Sequence, residues 1–261
     1  MLPGTREALE YGAIGTFLVL LVALVWRFRD RVAGSAAATA GAVVLKLFLW
    51  PLLAWHVVTG RVRTAVASAL GAVALALVSW AVIAFRSLTD YPRVLRDLTD
   101  LEASETYSVY ALGRTLGLAE TPAQAVSLVL GAAILAAAWH AARTARDPEA
   151  RDARSFVLVL AAAMALTPIL WHHYLVLLLV PIAVARPRLS PLWFVPAVGI
   201  LFEALGWYGG WAEGIAPRVS VLALVAAVTA GALWALRDEE AVDAIRWQDR
   251  LRPRRPLRAS R

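Results

Sequence analysis

Two places in this chain put groups capable of acid–base or phosphate chemistry inside apolar sequence. The first is Lys46, in "VVLKLFLWPLL". Lysine and arginine together number 26, and Lys46 is the only lysine among them. A lysine in mid-run reaches water with difficulty unless the chain turns at a wet site, and its compact ammonium suits a phosphate as a point charge. The second is the pair His172 and His173, in "ALTPILWHHYLVLLLVPIAVA". Ionisable groups within a membrane run are functional hypotheses by default. Two readings stay open for the pair: interfacial residues satisfied by Thr167, backbone or water, or walls of a cavity that bind phosphate or sugar hydroxyls. Neighbouring helical side chains diverge by about 100°, so one histidine is expected to face a ligand and the other to pack. Lys46 has a structural alternative as well, reaching a headgroup or pairing with Glu203. Carboxylates that could act as a base stand at Asp90, Asp97, Asp100, Glu102 and Glu105. His56 and His140 fall near helix ends and are expected at the interface.

These groups need elements to hold them, and composition sets the solvent for those elements. The chain is 60% apolar and 17% charged, against roughly 45–50% and about 25% in soluble domains. It has no cysteine, so disulfides and thiolate metal sites are excluded. With four histidines scattered, neither a metal nor a cofactor is expected. The net charge of +7 comes from arginine clusters between apolar runs and in the tail "RWQDRLRPRRPLRASR", a pattern of membrane topology and not of nucleic-acid binding.

About 20 apolar helical residues cross a bilayer. Full spans are expected near 10–26, 64–85, 123–142, 191–208 and 218–236. Two further stretches, 33–59 and 155–185, are too long for one span and are broken in the middle. Arginines flank both at each end: Arg27, Arg29 and Arg31 with Arg61 and Arg63, then Arg143, Arg146, Arg151 and Arg154 with Arg186 and Arg188. By the positive-inside rule both ends of each are cytoplasmic, so each is a pair of short helices with a polar apex. Irregular backbone at membrane depth must be buried or line a wet cavity, and the two apices point at one cavity.

The segment 86–122 then lies outside. Within it Tyr91, Val94, Leu95, Leu98 and Leu101 recur at helical spacing, as in an amphipathic helix on the outer interface. Thr89 or Asp90 can cap its start, and Gly117 suits the end of a short helix after Ser108. The expected fold is all-α, a polytopic transmembrane bundle over 1–236. A basic, disordered cytoplasmic tail over 237–261 follows it.

The lysine hairpin with its following proline, the loop "TGRVR", the outer segment "YSVYALGRTLGL" and the "TPILWHHYLVLLLVP" block together resemble glycosyltransferase family 87. These are polyprenol-phosphate-dependent mannosyltransferases of the GT-C membrane fold, and the resemblance covers about residues 10–210. It implies a multi-pass cell-membrane enzyme that moves a hexose, mannose in the family, from a polyprenyl-phosphate donor to a lipid or glycan acceptor at the outer face. It implies donor phosphate or sugar contacts at Lys46, His172, His173, Tyr174 and Ser108. The family's N-terminal helices and the outer loop carrying its acidic base have no counterpart here. The chain is therefore expected to be a C-terminal portion that binds a lipid-linked sugar and transfers it poorly, Glu7 and Glu10 lacking an anchored position. A different class remains beside this one: a non-catalytic membrane protein that binds or transports a lipid-linked substrate. What separates the two is a carboxylate close to the Lys46 and histidine apices.

Overall fold

The computed structural model describes residues 15–86, 88–102, 105–186, 188–196 and 214–237. Glu7, Glu10, Glu203, the side chain of Asp100, most of the expected 191–208 span and the tail from 238 onward lie outside them. Among the described residues there are ten α-helices and no strand. They are α1 (Gly15–Arg27), α2 (Val32–Leu45), α3 (Pro51–Val58), α4 (Val62–Val82), α5 (Tyr91–Glu102), α6 (Val109–Thr115), α7 (Glu120–Thr144), α8 (Pro148–Leu166), α9 (Leu179–Ala185) and α10 (Ile215–Ala235).

Helices α4, α7 and α10 are long and apolar enough to cross a membrane, with 21, 25 and 21 residues. At about 1.5 Å per residue each covers the roughly 30 Å hydrocarbon layer. They match the expected spans to within a few residues at each end. Valine and leucine cover the outside of α4, where Val66, Leu70, Val73 and Leu77 are exposed. That is the pattern of a helix solvated by lipid.

The 33–59 stretch folds as two helices. Lys46 leaves the helical region (φ −148°, ψ 105°), and its amide closes α2 on the carbonyl of Ala42. A 3-10 turn over Leu47–Leu49 follows, and Pro51 opens α3 at the first helical position, where its missing N–H costs nothing. Thr39 and His56 then meet across the reversal, Oγ1 to Nε2, at 3.0 Å. In an unbroken helix these residues would stand about 25 Å apart. His56 departs from expectation here. It is fully buried, because its ring is the staple between the two arms and does not sit at an interface.

The second broken stretch begins with α8, whose start is capped by Asp147 accepting from the Ala150 amide at 3.0 Å. The chain is extended at Thr167, passes through a 3-10 turn over His172–Leu178 and returns as α9, which packs against α8. Helix α7 lies along α8 at close range. A Cβ on Gly131 would come within 2.3 Å of the Leu166 side chain.

The arginine-flanked ends of these elements come together at one end of the bundle. Arg61 pairs with Asp30 at 2.9 Å and also with Asp152, which Arg151 meets at 3.0 Å and Arg29 at 3.7 Å. Above this cluster the rings of Trp26, Trp55 and Phe156 interlock at 4.7–6.1 Å, and the Trp55 indole N–H donates to Ser155 Oγ and the Asp152 carbonyl. The Asp152 carboxylate is nearly inaccessible, at 5% exposure. Removing one partner of a buried ion cluster leaves uncompensated charge, at a cost of about 3–5 kcal/mol. Asp152→Ala is expected to lower the thermal unfolding temperature in detergent far more than Asp90→Ala, whose carboxylate is exposed. Equal midpoints would show that the cluster does not hold α1, α4 and α8 together.

Candidate active site

At the opposite end from the arginine cluster, the two hairpin apices and α5 enclose a cavity of about 480 Å³. Lys46, Leu47 and Phe48 line it from the first apex, Thr167, Pro168, Trp171 and Tyr174 from the second, and Tyr91, Leu95, Thr99 and Glu102 from α5. The convergence expected from the two apices is therefore present. Lys46 Nζ stands 5.2 Å from the centre of the Tyr174 ring, within cation–π range. The Phe48 ring is tilted against the same ring, 5.4 Å between centres.

Tyr174 lines the cavity because the 3-10 turn beginning at His172 steps about 120° per residue. The same turn sends the histidines elsewhere. His173 stacks on Trp171 with ring planes 11° apart and touches the Tyr174 ring at 4.4 Å. His172 meets the edge of Tyr107, 6.5 Å between centres. The Thr167 hydroxyl donates to the Ile169 carbonyl. The pair thus forms an aromatic shelf behind Lys46 and Tyr174, with Lys46 in electrostatic reach of His173.

Ser108 is fully buried. Its hydroxyl caps α6, accepting from the Ala111 amide at 3.0 Å, and donates to the Pro168 carbonyl at 2.6 Å. Thr106 and Tyr107 add three more bonds to Leu170. The outer segment is in this way sewn to the second apex, and Ser108 organises that seam. Gly117, with φ +87°, ends the short helix as expected.

A residue that sequence reasoning passed over completes the seam. Arg218, in the first turn of α10, is 2% exposed and donates from Nε to the Thr106 carbonyl at 3.0 Å. Its signal in the sequence is an arginine entering an apolar span on the side where the positive-inside rule disfavours one.

Among the carboxylates of the outer segment, Asp90 pairs with Arg93 at 3.2 Å, and Asp97 and Glu105 are exposed. Glu102 is different. It lines the cavity, and its Oε2 is shielded with no hydrogen-bond partner. Burial, and then the neighbouring charge of Glu105, push its carboxyl above the ordinary range. It also sits at the C-terminal end of α5, where the helix dipole disfavours negative charge. Among the described residues no group of three His, Asp or Glu forms a metal-binding cluster.

Residues 1–168 match the sequence profile of glycosyltransferase family 87. The chain belongs to glycosyltransferase family 87. The match includes Lys46, Ser108 and Glu102, and ends before the histidine pair, so it is shorter at its far end than the resemblance read from the motifs. Comparison with curated proteins and with solved structures gave no match. Family 87 membership implies a membrane glycosyltransferase, with a sugar donor, an acceptor and a bilayer around the apolar helices.

Proposed function

We propose that this family 87 protein moves a hexose, mannose by its resemblance, from a polyprenyl-phosphate donor to a glycolipid or glycan acceptor at the outer face of the cell membrane. One observation carries the reading: a cation and an unpartnered carboxylate line the same cavity, at the junction of two hairpin apices with an amphipathic helix. The exposed apolar side chains of α5, Val94 and Leu101 among them, suit a helix lying in the interface. A prenyl chain would then remain in lipid while its phosphate reaches Lys46.

In the proposed step the acceptor hydroxyl attacks the anomeric carbon. A new carbon–oxygen bond forms, the bond from that carbon to the phosphate oxygen breaks, and the electron pair leaves with the lipid phosphate. Glu102 takes the hydroxyl proton, and Lys46 neutralises the departing phosphate. Tyr174 and Trp171 offer faces for the sugar, while His173, His172 and Ser108 hold those walls in place. The sequence left the position of the base open. Glu102 meets that need from the outer segment, and transfer is therefore proposed for this chain in place of the poor transfer that the motifs alone suggest.

The test is transfer itself. Protein in nanodiscs, given an alkyl α-mannoside acceptor, is expected to incorporate label from polyprenyl-phosphate [³H]mannose and none from GDP-[³H]mannose. Binding of the lipid-linked donor without transfer would favour a non-catalytic binding or transport role.

The orientation, with the arginine cluster and the C-terminus cytoplasmic, is open to direct test because the chain has no cysteine. Val62→Cys and Arg146→Cys are expected to react with a membrane-impermeant maleimide only from the cytoplasmic side, and Glu105→Cys only from outside. Labelling of positions 62 and 105 from one side would dismantle the arrangement.

A further inference from the structure

Among the described helix hydroxyls, Ser35 donates to the Val25 carbonyl and Thr39 bonds to the His56 ring. Ser68, Ser79, Thr99, Thr115, Thr144, Ser155 and Thr229 each donate to the carbonyl four residues back, the usual way for such a group to satisfy itself in an apolar helix. Ser127, in mid-α7, does not. It is 3% exposed, and its Oγ has no partner. A buried hydroxyl without a partner costs free energy, so one that forgoes the local bond points to another group that takes it.

Ser127 lines a second cavity, of about 160 Å³, on the far side of α5. Glu120, Gln124 and Ser127 recur at four and three residues, so they form one polar stripe on an otherwise apolar spanning helix. Arg96, Thr99 and Tyr110 face them across the space. Opposite charges at Arg96 and Glu120 suit a neutral ligand rich in hydroxyls better than an anion. The cavity also adjoins the first one. Leu95, Thr99, Leu166 and Pro168 line both.

We infer that this second cavity binds the sugar of the acceptor, with Ser127, Gln124, Glu120 and Arg96 as hydrogen-bonding partners of its hydroxyls. The inference rests on the proposed transfer chemistry, and gives it the second substrate's position. Acceptor enters between α5 and α7 and presents one hydroxyl past Thr99 to Glu102. Below the stripe, the tight contact of Gly131 with Leu166 closes the floor.

Ser127 also stands in the small-residue stripe by which α7 packs on α8, with Ala123 and Gly131, and packing alone would tolerate alanine there. The experiment uses diazirine-bearing decyl α-mannoside and decyl α-glucoside as probes on the full chain in nanodiscs, with attachment sites read by mass spectrometry. Labelling is expected on the peptides containing residues 96–99 and 120–128, and unlabelled alkyl glycoside should suppress it. Ser127→Ala and Gln124→Leu are each expected to reduce it about fivefold, the value of one neutral hydrogen bond. Labelling by a photoreactive polyprenyl-phosphate mannose near Lys46 should stay unchanged, which also certifies that the variants fold. Arg96→Ala, at an exposed site, supplies an independent variant. Probe labelling scattered over the lipid-facing helices, or undiminished in all three variants, overturns the inference. Glycoside labelling at α7 with no donor labelling near Lys46 in the wild type keeps the second cavity as a sugar site and defeats the donor reading instead.

Discussion

Glu102→Gln is expected to lower the transfer rate by roughly 10²–10⁴-fold, the range for loss of a positioned general base, and to leave donor affinity unchanged. The amide keeps the shape of the side chain and cannot take a proton. The wild-type pH profile carries the same information. A base works deprotonated, so activity rises with pH through the carboxyl's midpoint. Because burial and Glu105 raise that midpoint, the acid limb should lie above the ordinary carboxylate value of about 4.3. Glu105→Gln removes one of the two causes and should move the limb down without abolishing transfer. A Glu102→Gln protein of wild-type rate would return the search to Asp97 and the other acids of the outer segment.

Lys46→Ala is expected to weaken binding of a polyprenyl-phosphate sugar by about ten- to a hundredfold, since a hydrogen bond to a charged group contributes about 1.5–3 kcal/mol and about 1.4 kcal/mol is tenfold. Lys46→Arg keeps the charge and should lose much less, although its fork is bulkier than an ammonium. The measurement is equilibrium binding of labelled donor to protein in nanodiscs. Equal affinity in wild type and the alanine variant would make Lys46 a structural residue that only stacks on Tyr174.

Much of this architecture was legible in residue order, for identifiable reasons. A single lysine before a proline in an apolar run cannot continue a lipid-facing helix, and the chain does break at Lys46. Arginines on both sides of a broken run imply a return to the same face, and Asp152 gathers Arg29, Arg61 and Arg151 at one end. The apolar positions recurring at helical spacing from Tyr91 to Leu101 mark α5 and its exposed face. What could not be read was which side chains share a space. His172 and His173 carry the loudest sequence signal, yet the cavity takes the residues on either side of them, Trp171 and Tyr174. That outcome depends on a 3-10 turn, whose 120° step no hydrophobic period announces. Glu102 looked like one solvated acid among five, because its burial comes from elements more than fifty residues away in either direction. His56 was hidden likewise, as its partner Thr39 lies across a reversal.

The central claim is that the cavity between the two apices receives the phosphate and sugar of a lipid-linked donor. It is tested most directly by photocrosslinking a polyprenyl-phosphate mannose, with the diazirine on the sugar, to the full chain in nanodiscs and mapping the adducts. Adducts are expected on the peptides carrying Lys46 to Phe48 and Trp171 to Tyr174, with loss of labelling in Lys46→Ala. Adducts confined to the lipid-facing side of α4 or to the arginine cluster around Asp152, with the apices unlabelled, would contradict it.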